Sequence, residues 1–146
     1  MHRKENMLEN WLIAAWGVSL IATLGSLYFS EVMKFIPCDL CWFQRIFMYP
    51  QVILLGLAAI RKEYGIARYS LALSVIGGTI SLYHYLIQKV PFFQDHAIVC
   101  GRIPCTGDYI NWLGFITIPF LALTSFIIIS VLSMLMIRTW KEGKVH

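Results

Sequence analysis

Four membrane-spanning helices packed as a bundle are the fold that this sequence predicts, and three observations predict it. The 146-residue chain is 58% hydrophobic and only 14% charged, whereas charged residues make up about a quarter of an ordinary soluble domain. Its mean hydropathy is +0.67, and the apolar residues fall into four long stretches. The Lys and Arg residues gather in alternate connections between those stretches. The length is that of one domain, and residues 1–146 read as a single integral membrane domain with no repeat and no low-complexity segment.

The first stretch, Asn10 to Ser30, holds 21 uncharged residues. It follows Arg3 and Lys4 as a signal peptide would, but it exceeds an h-region and no A-x-A site follows it. An uncleaved helix over about 11–30 is expected. The third stretch, Tyr69 to Gln88, is 20 residues long between Arg68 and Lys89, and predicts a helix over 69–88. Its Gly77-Gly78 pair permits close approach of a neighbouring helix. The fourth, Tyr109 to Ile137, lies between Asp108 and Arg138. Its helix is expected over 114–137, with Pro119 near the start, where a helix tolerates proline best.

The second stretch is the informative one. Ile46 to Ile60 is 15 residues, about 22 Å of helix, too short for a hydrocarbon core of about 30 Å. Extending it back to Cys41 gives 20 residues and the required length, so the helix is expected over 41–60. That extension draws Arg45 into the membrane and leaves Cys41 near its surface. Pro37 is suited to opening such a helix and Pro50 to kinking it.

Loop charges orient the bundle. Arg3, Lys4, Arg61, Lys62, Arg68, Arg138, Lys141 and Lys144 lie on one side; Lys34, Lys89, Arg102 and the helix-end Arg45 lie on the other. Eight against four puts both termini in the cytoplasm. Trp11 and Trp140 then mark the inner interface, and Trp42 and Trp112 the outer one. The same distribution accounts for the net charge of +4, so no nucleic-acid partner is implied. The outer loops, Glu31 to Cys41 and Lys89 to Asn111, are too short to fold as domains. Phe92, Phe93, Ile98 and Val99 are suited to resting the second loop on the bilayer surface.

The chain has four cysteines, Cys38, Cys41, Cys100 and Cys105, and all lie in or beside the outer loops. Two pairs on the oxidising side of a membrane point to disulfides. Structural staples are one reading, but a membrane bundle is held by packing and backbone hydrogen bonds, and such small loops each contribute only ~2 kcal/mol. A four-cysteine zinc site is another, although structural zinc sites favour reduced, soluble compartments and the four-residue spacing of the second pair is loose. A redox reading has a mechanism. Free N–H groups and the dipole at a helix N-terminus stabilise a thiolate, and Arg45, four residues after Cys41, shares a helix face with it. An arginine within a membrane helix is a functional hypothesis by default; its plain alternative is snorkelling to lipid headgroups. Electrons from such a pair need a sink. The sequence has no nucleotide fingerprint, P-loop or C-x-x-C-H haem motif, which leaves a lipid-soluble quinone by elimination, with Arg45 suited to stabilising its anionic forms.

These residues resemble a known family. Pro37-Cys38-Asp39-Leu40-Cys41 followed by Arg45, and Cys105 followed by Trp112-Leu113-Gly114 and Pro119, are similar to the motifs of the DsbB/BdbC disulfide bond formation proteins across nearly the whole chain. The resemblance implies a multi-pass protein of the bacterial cytoplasmic membrane with its cysteine loops outside. It implies an enzyme that reoxidises an exported thioredoxin-like protein of the DsbA/BdbD type and passes the electrons to membrane quinone, menaquinone or ubiquinone. On that resemblance Cys100 and Cys105 are the loop pair, with Cys100 forming the mixed disulfide with the partner. Cys38 and Cys41 are the pair that serves quinone, with Cys41 nearer to it, and Arg45 is the quinone-proximal arginine. His84 falls near a family histidine at the outer end of the third helix, and a hydrogen-bonded bundle histidine is the alternative. Only four residues separate Cys100 from Cys105, which looks like the BdbC-type subgroup and puts an inter-loop Cys38–Cys105 disulfide in question. A vitamin K epoxide reductase-like enzyme is a rival, but there the helix-end C-x-x-C follows the loop pair, and here it comes first. The rival from another class is a non-catalytic membrane protein with structural disulfides or zinc.

Overall fold

The computed structural model describes residues 2–95 and 117–144. Its long helices are α1 (His2–Glu31), α2 (Asp39–Arg61), α3 (Ala67–Lys89) and α5 (Ile118–Lys144); the short α4 (Pro91–Gln94) follows α3, and a 3-10 turn at Tyr64–Ile66 joins α2 to α3. All four long helices are long and apolar enough to cross a membrane. The expected all-α, four-helix membrane bundle is therefore the observed fold. Its helices form a ring in which α1 packs on α2, α2 on α3, α3 on α5, and α5 back on α1.

The helix ends differ from the sequence expectation for local reasons. Helix α1 begins eight residues before the apolar stretch, because nothing between His2 and Asn10 breaks a helix and Glu5 suits the positive end of its dipole. Helix α2 begins at Asp39, with Cys38 as its N-cap in an extended conformation (φ −76°, ψ 172°) and an acidic first turn. Pro37 thus precedes the cap and does not occupy the first helical position. Pro50 lies inside α2, which continues through it. At the other end Lys62 adopts the left-handed conformation (φ 53°) and its N–H bonds back to the Ala58 carbonyl, which stops the helix. Pro119 is the second residue of the described part of α5; the expected start at Gly114 lies outside the described residues.

Polarity is arranged inversely to that of a soluble protein. Large apolar side chains point outward, with Ile60 81% and Ile21 72% exposed, as lipid-facing positions require. Ser19, Gln51, Ser70, Ser74, Ser81, His84 and Ser133 are buried inside. At mid-bundle Gln51 Oε1 accepts hydrogen bonds from Ser70 and Ser74, each at 3.1 Å, and its Nε2 donates to the Phe47 carbonyl at 3.2 Å. Ser133 of α5 joins through Ser70 at 3.4 Å. This cluster ties three helices in a medium that offers no competing water; measured membrane hydrogen bonds average ~0.6 kcal/mol each.

The opposite ends of the bundle have different chemistry. At one end Lys62 pairs with Glu9 at 3.3 Å, and the Arg68 guanidinium sits 5.4 Å from the Trp140 ring centre. At the other end are Cys38, Cys41, Trp42 and α4. There Phe93 packs against Cys38, Leu40 and Ile87, while Phe92 is exposed. Ile98 and Val99, expected to join them at the bilayer surface, lie outside the described residues.

The glycine pair in α3 has a specific use. A Cβ on Gly77 would lie 2.5 Å from ring atoms of the fully buried Phe126 in α5, a separation at which one of the two helices must move. Gly77→Ala is expected to destabilise the bundle by about 1–3 kcal/mol. Gly17→Ala, where the added methyl meets nothing within 4 Å, is expected to do no harm. Thermal unfolding in detergent compares the two variants.

Candidate functional site

The site forms where the N-terminal turn of α2 meets the C-terminal ends of α1 and α3. The Cys38 cap is buried, and its sulfur lies 3.4 Å from that of Cys41. That separation is natural to a C-x-x-C at this place: the N-cap and the third helical residue stand one above the other at the start of the first turn. Both are thiols in this structure. The sulfurs need close by little more than an ångström to reach the ~2.05 Å of a disulfide.

His84 reaches this pair from α3. The turn spacing of Gly77, Ser81, His84 and Ile87 puts them all on the buried face of that helix. The imidazole Nε2 lies 3.6 Å from the Cys38 sulfur, and Nδ1 lies 2.9 Å from Nε2 of the buried Gln44. The hydrogen bond with Cys41 holds the Cys38 thiol well below the usual thiol range; burial opposes this, and a hydrogen bond from His84 reinforces it. The N-terminal position that favours a thiolate, expected for Cys41, is held first by Cys38, which sits at the cap itself.

On the other side of α2 is a cavity of about 390 Å³ between α1, α2 and α5. Its walls are mainly apolar, including Ile21, Phe29, Met48, Leu121 and Phe126, and among them stand Cys41, Gln44 and Arg45. The volume is within the range of small-molecule sites, as is the pattern of apolar walls with few polar groups. Arg45 is held at the cavity rather than directed freely outward. Its Nη2 donates to the Ser26 carbonyl at 3.3 Å and to the Ser30 hydroxyl, and its guanidinium stands 5.4 Å from the Trp42 ring centre. Tyr49 donates to the Ser26 hydroxyl at 3.4 Å, bracing the same turn of α1.

Of the residues singled out from sequence, Cys41 and Arg45 line the cavity, Cys38 stands behind Cys41, and His84 lies against Cys38 rather than on the cavity wall. Cys100 and Cys105 lie outside the described residues. Sequence reasoning passed over Gln44, Ser26 and Ser30. The signal for Gln44 was available: it is an uncharged polar residue in a membrane helix between two residues already chosen, and such residues seek partners inside the bundle.

Comparison with known proteins gives the family. A family profile described as "Disulfide bond formation protein DsbB" matches residues 8–136. The chain belongs to the DsbB family. Its relatives include "Probable disulfide formation protein C 1" of Bacillus anthracis, 62% identical over 135 residues that cover 92% of this chain and 97% of that one. "Disulfide bond formation protein C" of Bacillus subtilis (strain 168) is 56% identical over 119 residues, covering 82% of this chain and 86% of that one. A "Probable disulfide formation protein" of Coxiella burnetii (strain CbuK_Q154) is 46% identical over 127 residues, covering 85% and 86%. No solved structure matches. The DsbB/BdbC resemblance read from the motifs is thus the family found, and the chain's coarse activity is disulfide formation at a membrane.

Cys38, Cys41 and His84 also bring three donor atoms within 4.8 Å of one another, a set that contains two of the four cysteines of the zinc alternative and adds a histidine which that alternative did not include. A disulfide between the two cysteines removes two of those donors, so the zinc and redox readings exclude each other at this site.

The electrostatics give a direct test. In a variant with Cys100 and Cys105 replaced by serine, thiolate absorbance at 240 nm is followed against pH. The first thiolate is expected to persist below the free-thiol value of about 8.5, and to be lost only as the pH falls through the lowered Cys38 pKa. Cys41→Ala removes the first cause of the lowering, so the midpoint should rise.

Proposed function

We propose that this protein is a quinone-reducing thiol oxidase of the bacterial cytoplasmic membrane, with both termini in the cytoplasm and both cysteine pairs outside. A reduced, exported thioredoxin-like protein attacks the Cys100–Cys105 disulfide and forms a mixed disulfide with Cys100. Its second thiol resolves that bond, and the partner leaves oxidised. The Cys100 and Cys105 thiols then reduce Cys38–Cys41 by exchange, so that two electrons arrive beside the cavity. Each exchange forms one S–S bond and breaks one. The family's role in disulfide formation and the nearness of Cys41 to the cavity support this order.

The observation that carries the acceptor is the cavity itself. It opens within the membrane-spanning part of the bundle, it is walled mainly by apolar side chains, and Cys41 and Arg45 both line it. These residues fit a quinone ring. Cys41 is the electron donor at its wall, Arg45 is a fixed cation for an oxygen that gains negative charge, and Phe29, Leu121 and Phe126 exclude water. Bound quinone supplies a sink for two electrons and two protons. Ser26 and Ser30 hold the guanidinium by hydrogen bonds, so its charge is in place before any ligand enters.

Two experiments test the reading. In Cys105→Ala, the mixed disulfide between Cys100 and an exported thioredoxin-like protein is expected to accumulate and to be visible on non-reducing gels. The absence of any adduct, with full oxidase activity retained by Cys100→Ala and Cys38→Ala, would sink the proposal. Arg45→Ala is expected to raise the apparent KM for quinone about tenfold, roughly 1.4 kcal/mol, without unfolding the bundle. Unchanged quinone kinetics in that variant would reduce Arg45 to a brace between α1 and α2.

A further inference from the structure

Gln44 has no part in the sequence of exchanges above, yet it touches both halves of the site. It stands on α2 between Cys41 and Arg45 and lines the cavity, and its side chain is buried. Its amide nitrogen meets His84 Nδ1 at 2.9 Å. An amide NH₂ only donates, so the ring nitrogen facing it must accept and therefore carries no proton. A neutral imidazole without a proton on Nδ1 carries it on Nε2, because the partner of one ring nitrogen decides the state of the other. Nε2 is the atom that faces the Cys38 sulfur, at 3.6 Å.

We propose that Gln44 is a positioning residue that locks His84 in the Nε2–H tautomer, so that the histidine donates a hydrogen bond to the Cys38 sulfur from behind the cavity. The interaction is selective between redox states. A thiolate is a far better acceptor than a disulfide sulfur, because hydrogen bonds to charged groups are the strong ones. The Nε2–H donor therefore stabilises the reduced pair more than the oxidised pair, and a dithiol whose reduced form is stabilised is a stronger oxidant. Reduction of the Cys38–Cys41 disulfide takes two electrons, which come from the second cysteine pair by thiol–disulfide exchange, and leaves one thiol and one thiolate or two thiols according to pH. Gln44 thereby makes the quinone-side pair better able to draw electrons from the loop pair. This functional consequence rests on the thiol-oxidase reading, whereas the tautomer itself does not.

The test uses the full-length protein in detergent or nanodiscs with Cys100 and Cys105 replaced by serine, comparing Gln44→Glu and Gln44→Leu with the parent. Glutamate keeps the volume of glutamine, but its carboxylate accepts where the amide donates, so it requires a proton on Nδ1. Imidazole ¹⁵N shifts of the reduced protein, assigned by the loss of signals in His84→Gln, should report Nε2–H with a bare Nδ1 in the parent and a protonated Nδ1 in Gln44→Glu. Titration against dithiothreitol buffers should find the pair in Gln44→Leu about tenfold harder to reduce, a shift of about 30 mV for a two-electron couple. A protonated Nδ1 in the parent would overturn the proposal. So would a parent-like tautomer in Gln44→Glu, or a parent-like equilibrium in Gln44→Leu. Should Gln44→Leu not fold, the tautomer comparison with Gln44→Glu still decides. Failure to trap a mixed disulfide on Cys100 would sink the thiol-oxidase reading but leave these shifts and potentials as they are, so the two failures are distinguishable.

Discussion

Lipid tails form no hydrogen bonds, so a polar side chain carried into the bilayer either finds a partner within the bundle or costs several kcal/mol. Everything specific in this molecule follows from where those partners are. Arg45 is the most demanding case, because α2 cannot reach across the membrane without it. Its guanidinium is met by the carbonyl of Ser26, the hydroxyl of Ser30 and the face of Trp42. Those contacts draw α1 against α2 near the cysteines, and the cavity opens beside them, bounded on its third side by α5. A single charge that the helix must contain thus serves to locate both a helix contact and a binding space.

The same constraint divides the site into two compartments. On the cavity side the residues are Cys41, Arg45 and a wall of apolar side chains. On the α3 side they are Cys38 and His84, packed with Leu40, Ile87 and Phe93 away from the cavity. The pair of sulfurs forms the boundary between them, and Gln44 crosses it. Away from the site, Gln51 with Ser70, Ser74 and Ser133 holds the bundle in the way that Arg45 and its partners hold the end that carries Cys38 and Cys41. Phe126 serves both regions, seated on Gly77 while also walling the cavity.

Much of this is legible in the sequence alone. The shortness of the apolar run from Ile46 to Ile60 placed Arg45 in the membrane, since span length is a one-dimensional requirement that a linear sequence states directly. The Gly77-Gly78 pair announced a close helix contact, and the C-x-x-C announced sulfur chemistry at a helix start. Helix ends were less legible, because they depend on local breakers and caps as well as on hydropathy. Thus α1 runs back to His2 through polar residues, and α2 opens at Asp39 with Cys38, rather than Cys41, at its cap.

By itself the sequence determined the number of spanning helices, the depth of Arg45, and the two-residue spacing that brings the sulfurs of Cys38 and Cys41 together, because each follows from rise per residue and turn geometry along one chain. Only the tertiary structure decided what faces them. That His84 stands behind Cys38, that Gln44 links it to the cavity, and that Ser26 and Ser30 hold the arginine all depend on the rotation of α1 and α3 about their own axes. Helices so uniformly apolar leave that rotation open, and contact between neighbours sets it.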